Sequence, residues 1–225
     1  MFDIIILGSG VTGAFIAREL AKYKVNVLVL DKENDVGNVT SMANSAIVHS
    51  GYDPLSHTLK AKFNVLGNKM YDKVCEELDV KFIRTGSMTV ATSEEHLKVL
   101  ENLSQRAKEN GVETKLLTKE EAHAKEPNLS DNVIAALFCP TAGIVDPFNL
   151  VVHAMENAID NGVKLMLNQE VIGLTKIEDG YKVITKTDTF EGKIIINATG
   201  VNGDYISSLA CDNKVTIKAR KGEYY

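Results

Sequence analysis

The chain opens with a continuous apolar run, Ile4 to Leu7, which is typical of a strand buried in a parallel sheet. The run ends in a glycine-spaced turn, and apolar residues then recur with the period of a helix. A second apolar run extends from Val25 to Leu30. This order of strand, helix and strand predicts a βαβ unit with a parallel sheet.

The middle of the chain alternates between helical and strand-like patterns. Between Thr58 and Leu78 the apolar residues are spaced three and four apart, which predicts an amphipathic helix. A capping box, Thr118-Lys-Glu-Glu121, predicts the start of a short helix. The remaining patterns predict, in chain order, a strand around Gly86, a helix from Ser93 to Asn110 and a strand from Val133 to Cys139.

Asp146-Pro147, an N-cap acid followed by a proline suited to the first helical position, predicts a helix that runs to about Asn161-Gly162. Buried strands return after this helix. Asp179-Gly180 predicts the turn of a hairpin, and Lys193 to Asn197 predicts another buried strand. Val215 to Arg220 alternate like a half-buried strand. Together the patterns predict an α/β protein. A βαβ unit opens, a strand-rich insertion occupies roughly residues 80–145, and the chain then returns to buried strands. We therefore expect a Rossmann-like domain, with a parallel sheet and a three-stranded β-meander, interrupted by an inserted α+β domain.

The turn after the first strand has the sequence Gly8-Ser-Gly-Val-Thr-Gly13. Gly8 permits the tight turn, Gly10 lets backbone approach a pyrophosphate, and Gly13 lets the helix pack closely on the strand. Asp31, directly after the second apolar run, can accept hydrogen bonds from ribose hydroxyls. Glycines also occur in ordinary turns, but these elements in this order predict dinucleotide binding. By themselves they leave FAD and NAD open.

A second motif, Ala198-Thr199-Gly200, follows the late buried strand. Taken alone, it is either an ordinary strand-end turn or a place where backbone comes close to a cofactor. Together with the glycine turn and the hairpin it favours FAD, because flavoprotein folds return to the nucleotide site through a strand and a three-stranded meander.

Composition narrows the function classes. The chain has 225 residues, of which 44% are hydrophobic and 24% charged, as expected for a globular protein. The net charge of −5 argues against nucleic acid as a partner, and three scattered cysteines favour a reducing, cytoplasmic setting. His49, Asp53 and His57 have the spacing of helical metal ligands. Gly51 and Pro54 break a helix there, so no metal site is expected.

The chain resembles a known family in four segments. It is similar to the FAD-dependent glycerol-3-phosphate dehydrogenase and L-2-hydroxyglutarate oxidase branch of the D-amino-acid-oxidase-like flavoproteins. The segments are Gly8-Ser-Gly-Val-Thr-Gly13, Asn44-Ser-Ala-Ile-Val-His-Ser-Gly51, Thr141-Ala-Gly-Ile-Val-Asp146 and Arg220-Lys-Gly-Glu-Tyr-Tyr225. The first is shared by many flavoproteins, whereas the middle two are more specific.

The resemblance implies a set of residues in contact with FAD. These are Gly8, Gly10, Gly13, Asp31, Lys32, Thr40, Ser41, Asn44, Val171, Ala198 and Gly200. Asp31 is a mild departure from the family, in which glutamate is commoner. For the anionic group of a substrate, we expect a contact from Arg220, whose planar fork matches a phosphate or carboxylate. Tyr224 is a candidate for lining the substrate cavity, with exposure at the end of the segment as the alternative.

His49 is the candidate catalytic residue. The resemblance implies that its His-x-Gly segment lies beside the isoalloxazine, where a histidine can take the hydroxyl proton as hydride leaves carbon. The alternative is a histidine that only packs against the cofactor or bonds to it. The two interpretations have equal weight.

The resemblance implies oxidation of a small anionic hydroxy compound, with glycerol 3-phosphate converted to dihydroxyacetone phosphate by hydride transfer to flavin. L-2-Hydroxyglutarate is the second substrate candidate, and a non-catalytic dinucleotide-binding subunit is the alternative from another class. The electron acceptor would be quinone, another carrier or oxygen. We expect a cytoplasmic protein, with peripheral attachment at the inner face of the cell membrane as a variant.

The expected division of the chain has four parts. Residues 1–79 begin the FAD-binding domain, 80–145 begin the substrate domain, 146–210 return to the FAD-binding domain, and 211–225 begin a second substrate segment. Family members continue beyond this last segment. We therefore expect the isolated chain to be inactive and to need a C-terminal half or a partner subunit.

Overall fold

The computed structural model describes residues 1–211 and 215–223, which form two compact units. Unit 1 contains Met1–Ser45 and the described residues from Pro147 onward, and unit 2 contains Ala46–Asp146. The contacts thus group residues 46–79 with the second unit, whereas the expected division began at residue 80. Side-chain hydrogen bonds explain the grouping, because Asn68 bonds to the backbone of Thr141.

The chain forms twelve strands and six α-helices in its described part. The elements of unit 1 are β1 (Phe2–Leu7), α1 (Val11–Leu20), β2 (Val27–Leu30), α5 (Pro147–Asp160), β9 (Lys164–Met166), β10 (Val171–Ile177), β11 (Gly180–Thr185), β12 (Thr189–Asn197), a 3-10 turn (Gly200–Asn202) and α6 (Gly203–Ser208). Those of unit 2 are β3 (Ile47–Val48), α2 (Leu59–Glu77), β4 (Phe82–Ile83), β5 (Ser87–Ala91), α3 (Glu94–Glu109), β6 (Lys115–Thr118), α4 (Lys119–Lys125), β7 (Ala135–Cys139) and β8 (Gly143–Val145).

Unit 1 is built on a six-stranded sheet in the order β10-β11-β12-β1-β2-β9. β1 lies between β2 and β12 and is parallel to both, so that Ile5 pairs with Leu28 on one side and Ile195 on the other. β10, β11 and β12 form an antiparallel meander. Ile5 and Leu28 are fully buried, as the continuous apolar runs require. The predicted parallel sheet with a three-stranded meander is confirmed.

Unit 2 contains two antiparallel three-stranded sheets, β3-β8-β4 and β5-β7-β6. The helix α3 packs on the second sheet through a core that includes Leu100, Ala91 and Leu137. α4 begins at the predicted capping box, in which the Thr118 hydroxyl accepts from the Glu121 amide and the Glu121 carboxylate accepts from the Thr118 amide. The predicted inserted α+β unit is therefore present.

Two sequence expectations differ from the structure. Residues 215–220, expected as a half-buried strand, are exposed and have no regular secondary structure. A strand needs a neighbour for its backbone groups, and here the Ile217 amide donates instead to the Asp204 carboxylate at 2.9 Å. In α2, the apolar stripe leaves Phe63 and Met70 each 60% exposed, while the buried face carries Asn68.

The helices within the described residues include none that is long and apolar enough to cross a membrane.

Candidate functional site

Unit 1 contains a cavity of about 410 Å³ at the carboxyl ends of β1 and β2. This edge is where doubly wound sheets hold their ligands, because the strand ends there open into loops. The volume lies in the range of small-molecule sites. Its walls come from five stretches of the chain: 7–12, 30–33, 37–41, 169–171 and 198–206. Ile217 adds a side chain from the C-terminal segment.

The glycine turn forms one wall of this cavity, and its packing excludes side chains. Gly8 has φ of +100°, and a Cβ there would lie 2.6 Å from the Ala198 carbonyl oxygen. A Cβ on Gly13 would lie 1.9 Å from the Gly8 oxygen, and one on Gly10 would lie 3.1 Å from the Ser41 hydroxyl. The absence of side chains therefore lets α1 begin directly against the end of β1 and keeps backbone accessible at the cavity.

Asp31 follows β2 and faces the glycine turn. Its Oδ2 accepts from the Ser9 amide at 2.5 Å and from the Ser9 hydroxyl at 2.6 Å, and its Oδ1 accepts from the Glu33 amide at 2.9 Å. Ser9 is fully buried. A carboxylate has about four acceptor positions, so these three bonds fix Asp31 and leave a position on Oδ1 for a further donor.

The loop after β2 forms the adjacent wall. The Ser41 hydroxyl accepts from the Val11 amide at 2.9 Å, which satisfies one of the unpaired amides of the first turn of α1. The Asn44 side chain donates to the carbonyls of Ser41 and Thr40 at 2.8 and 3.3 Å. Asn44 thus supports the loop, whereas Thr40 and Ser41 line the cavity.

The opposite wall contains a buried polar residue that the sequence did not single out. This residue is Gln169. Its backbone amide donates to the Asp31 carbonyl at 2.7 Å, and its side-chain oxygen accepts from the Thr185 hydroxyl at 2.7 Å. The Gln169 side-chain amide also donates to Asp188 at 3.0 Å. These bonds fix the entry to β10, where Val171 lines the cavity. In the sequence, the signal that could have pointed to Gln169 is its position two residues before Val171, which was expected to contact the cofactor.

The cavity brings together most of the predicted cofactor residues. Those that line it are Gly8, Gly10, Asp31, Lys32, Thr40, Ser41, Val171, Ala198 and Gly200. Gly13 and Asn44 lie behind this surface and support it. Tyr205 and Ile206, in the short α6, also line the cavity but were missed, because that helix of six residues has no strong periodic pattern.

His49 lies in unit 2, directly after β3. Burial alternates along this segment: Ile47 and His49 are exposed, and Val48 and Ser50 are buried. Ile47 pairs across the small sheet with Ile144, which pairs with Ile83, and these three isoleucines form an exposed apolar row. His49 therefore follows on the exposed side of this sheet.

Of the two predicted substrate residues, Arg220 lies within the described part of the chain and Tyr224 does not. Arg220 is exposed in the segment without regular secondary structure, and it is not among the described residues that line the cavity. Tyr224 lies outside the described residues. Within residues 1–211 and 215–223, no group of three metal-ligating side chains is close enough to hold an ion.

Comparison with known families identifies the class of protein. Residues 3–225 match the DAO family of FAD dependent oxidoreductases, and the chain belongs to this family. The match includes the glycine turn and the strands that surround the cavity. The family expected from the four sequence segments is thereby confirmed.

Individual relatives share most of this chain but are longer. The glycerol 3-phosphate dehydrogenase of Caloramator mitchellensis is 45% identical over 226 residues, covering 100% of this chain and 47% of the relative. The L-2-hydroxyglutarate dehydrogenase of Escherichia coli strain UMN026 is 28% identical, covering 100% of this chain and 54% of the relative. The chain thus spans about half the length of these curated relatives.

A solved structure shares the fold closely. The dithionite-reduced L-alpha-glycerophosphate oxidase of Mycoplasma pneumoniae with FAD bound superposes with a TM-score of 0.88 at 33% identity. The superposition covers 93% of this chain and 56% of that chain.

Proposed function

We propose that this chain provides the FAD-binding part of an oxidoreductase that oxidises a small anionic hydroxy compound, with glycerol 3-phosphate as the first candidate. The observation that carries this proposal is the cavity of unit 1, in which the glycine turn and the Asp31 carboxylate face one space. The family membership of the chain supports FAD as the dinucleotide.

The donor set of the cavity fits FAD. Gly8 and Gly10 leave backbone accessible for a pyrophosphate, and the N-terminus of α1 favours negative charge there. Asp31 retains an acceptor position for a ribose hydroxyl, while Lys32 adds a positive charge at the cavity wall. Val171, at the start of β10, offers backbone groups to adenine. When bound, FAD supplies the acceptor for the hydride.

His49 is the proposed proton acceptor. Its imidazole takes the substrate hydroxyl proton, a general-base role that histidine fills more often than any other side chain. Arg220 is the proposed partner of the substrate's anionic group. The alternative for His49 is a contact that holds the cofactor without taking a proton, and the two roles predict different effects of its removal.

The substrate proposal follows the degree of similarity. The chain is 45% identical to a glycerol 3-phosphate dehydrogenase and 28% identical to an L-2-hydroxyglutarate dehydrogenase. Glycerol 3-phosphate is therefore the first substrate and L-2-hydroxyglutarate the second. Oxygen, quinone and another carrier are the candidate acceptors.

The test uses the full-length gene product, purified and assayed with both substrates, an artificial electron acceptor and oxygen. We expect a flavin absorption band near ~450 nm and turnover of glycerol 3-phosphate. Tight binding of NAD without flavin uptake would contradict the cofactor proposal. Turnover of L-2-hydroxyglutarate alone would select the second substrate, and flavin uptake without any turnover would favour a non-catalytic subunit.

His49→Ala tests the proton acceptor. We expect turnover to fall by roughly 100-fold or more if His49 is the general base. The matched control is His96→Ala, which removes an exposed histidine from α3 in the same unit. Near-normal turnover of His49→Ala with flavin bound would leave His49 as a packing residue.

A further inference from the structure

The segment that follows β3 is an irregular loop whose backbone is held by side chains from two helices. Asn68, in α2, donates to the His49 carbonyl at 3.1 Å. Asn110, the C-cap residue of α3, donates to the carbonyls of Gly51 and Pro54 at 3.0 and 2.9 Å. These bonds replace the backbone pairing that a strand or helix would provide, so the loop has a defined path without regular structure.

Asn68 makes the bonds closest to His49. It is 5% exposed, and its amide group donates to both the His49 carbonyl and the Thr141 carbonyl, the latter at 2.9 Å. Its Oδ1 accepts from the Arg84 guanidinium at 3.0 Å. Both amide hydrogens and the oxygen are therefore used, and the Arg84 donor determines which end of the amide faces the two carbonyls.

Arg84 fixes Asn68 by donating hydrogen bonds to both its side chain and its backbone. Its guanidinium also donates to the Asn68 carbonyl at 2.9 Å, to the Thr141 carbonyl and to the Asp72 carboxylate. It lies over the Phe82 ring, 4.8 Å from the centroid. The charge of Arg84, acting mainly through these hydrogen bonds, lowers the pKa of Asp72 below its usual value. The fork geometry lets one side chain satisfy several acceptors at once.

This arrangement joins the two segments that are most specific to the family. Residues 44–51 and 141–146 already pair through β3 and β8, where Val48 lies opposite Gly143. The pairing ends at Val48, one residue before His49. Asn68 continues the connection beyond that point, because it bridges the carbonyls of His49 and Thr141.

We propose that Asn68, oriented by Arg84, is a positioning residue for His49. This inference rests on the proposed role of His49 as the proton acceptor. Without the Asn68 donor, the Thr141 carbonyl keeps the Arg84 guanidinium, but the His49 carbonyl loses the bond that ties it to α2, and the loop shifts to reach water. A shift of about 1 Å at a reacting group is enough to lower turnover strongly.

The first measurement is hydrogen exchange of the loop in the full-length gene product. Asn68→Asp keeps the shape and the Arg84 contact but removes both donated bonds. We expect the amides of residues 49–53 to exchange roughly 10-fold faster. The control, Thr118→Ala, removes the N-cap of α4 in the same unit and leaves the exchange of residues 49–53 unchanged. Unchanged exchange in Asn68→Asp would overturn the proposal.

The second measurement is a double-mutant cycle on kcat. We expect Asn68→Asp to lower kcat by roughly 10-fold or more while KM changes little, and to have no further effect when His49 is already alanine. An equal loss in both backgrounds would mean that Asn68 acts on the whole unit, which overturns the positioning role. If Asn68→Asp does not fold, Arg84→Lys serves in its place, because lysine lacks the fork that orients Asn68.

A wrong assignment of His49 as the base would give a different result from a wrong assignment of Asn68. Near-normal turnover of His49→Ala would overturn the assignment of the base, and with it this catalytic role of Asn68. The exchange measurement would still decide whether Asn68 fixes the loop.

Discussion

At the scale of single residues, the contact between Ser9 and Asp31 fixes a carboxylate at the wall of the unit 1 cavity. Ser9 occupies a variable position of the glycine motif, yet both its amide and its hydroxyl donate to one oxygen of Asp31. Aspartate is shorter than glutamate, the residue that the resemblance to the family leads us to expect here. The buried hydroxyl of Ser9 holds the shorter carboxylate in one orientation, which prepares it for a ligand donor.

Ser9→Ala is therefore expected to weaken FAD binding. The substitution removes one of two bonds to Oδ2, and a hydrogen bond to a charged group contributes about 1.5–3 kcal/mol. We expect the Kd for FAD to rise by roughly 10-fold, measured by titration of flavin fluorescence with the full-length gene product. Thr189→Ala, at an exposed hydroxyl residue of the same unit that does not line the cavity, is the control. An unchanged Kd would show that the hydroxyl does not contribute.

The three cysteines differ in burial, and we expect them to differ in reactivity for that reason. Cys75 and Cys139 are buried and Cys211 is exposed. Burial raises the pKa of Cys75, so its thiol stays protonated as pH rises through the ordinary range of a thiol. We expect iodoacetamide near pH 8 to modify Cys211 in the folded protein and the other two only after denaturation. Mass spectrometry of the peptides measures this, and rapid labelling of Cys75 would contradict the expected burial.

At the scale of elements, two glycines in helices differ in the space that surrounds them: one has no room for a side chain, and the other has. A Cβ on Gly13, in α1, would lie 1.9 Å from the Gly8 carbonyl oxygen, whereas one on Gly67, in α2, meets no described atom within 4 Å. We expect Gly13→Ala to destabilise the protein by about 3 kcal/mol or more. Gly67→Ala is expected to stabilise it by about 0.5–1 kcal/mol, because alanine loses less entropy in a helix. Thermal unfolding compares the two, and similar Tm values would refute the steric argument.

The α2 helix shows both the success and the limit of periodicity. The spacing of apolar residues from Thr58 to Leu78 predicted the helix, and Thr58 is its N-cap. Periodicity could not predict which face is buried, since Leu59 is 71% exposed and Asn68 is buried. The burial of Asn68 depends on Arg84 and on the carbonyl of Thr141, which come from distant parts of the chain.

Local signals predicted the elements that are defined by local physics. The capping box at Thr118 and the hairpin turn at Gly180, where φ is +145°, both follow from nearby residues. In contrast, β3 has only two residues and exists because it pairs with β8. Strands this short have no period of their own, so no pattern in the sequence predicts β3.

At the scale of the whole molecule, the cavity of unit 1 is assembled mainly from two distant parts of the chain. Residues 7–41 form one side, and residues 169–206 form the other. The glycine turn and Asp31 were predictable because strand, turn and helix follow one another directly. Gln169 was not, because its role depends on the parallel pairing of β2 with β9, just before it.

FAD is accordingly expected to protect both parts together. In hydrogen exchange of the full-length gene product, added FAD should slow the amides of residues 8–13 and of residues 198–206 to a similar degree. A ligand present at ~100 times its Kd stabilises the folded state by about 2.7 kcal/mol, which a thermal shift measures in parallel. AMP is a suitable comparison, because it tests the adenosine part alone. Protection confined to the N-terminal segment would contradict a site that uses both parts.

Because β1 lies between β2 and β12, its sheet is completed only late in synthesis. At about 5–20 residues per second on the ribosome, the roughly 160 residues that separate Leu30 from the end of β12 take about 10–30 s to make. Unit 2 is contiguous, from Ala46 to Asp146, so its strands can pair before β12 has been synthesised and can pair with β1. If FAD binds in the cavity of unit 1 as proposed, we expect its capture to be a late event in biosynthesis. A nascent chain arrested before residue 189 would carry the complete glycine motif without a site for FAD.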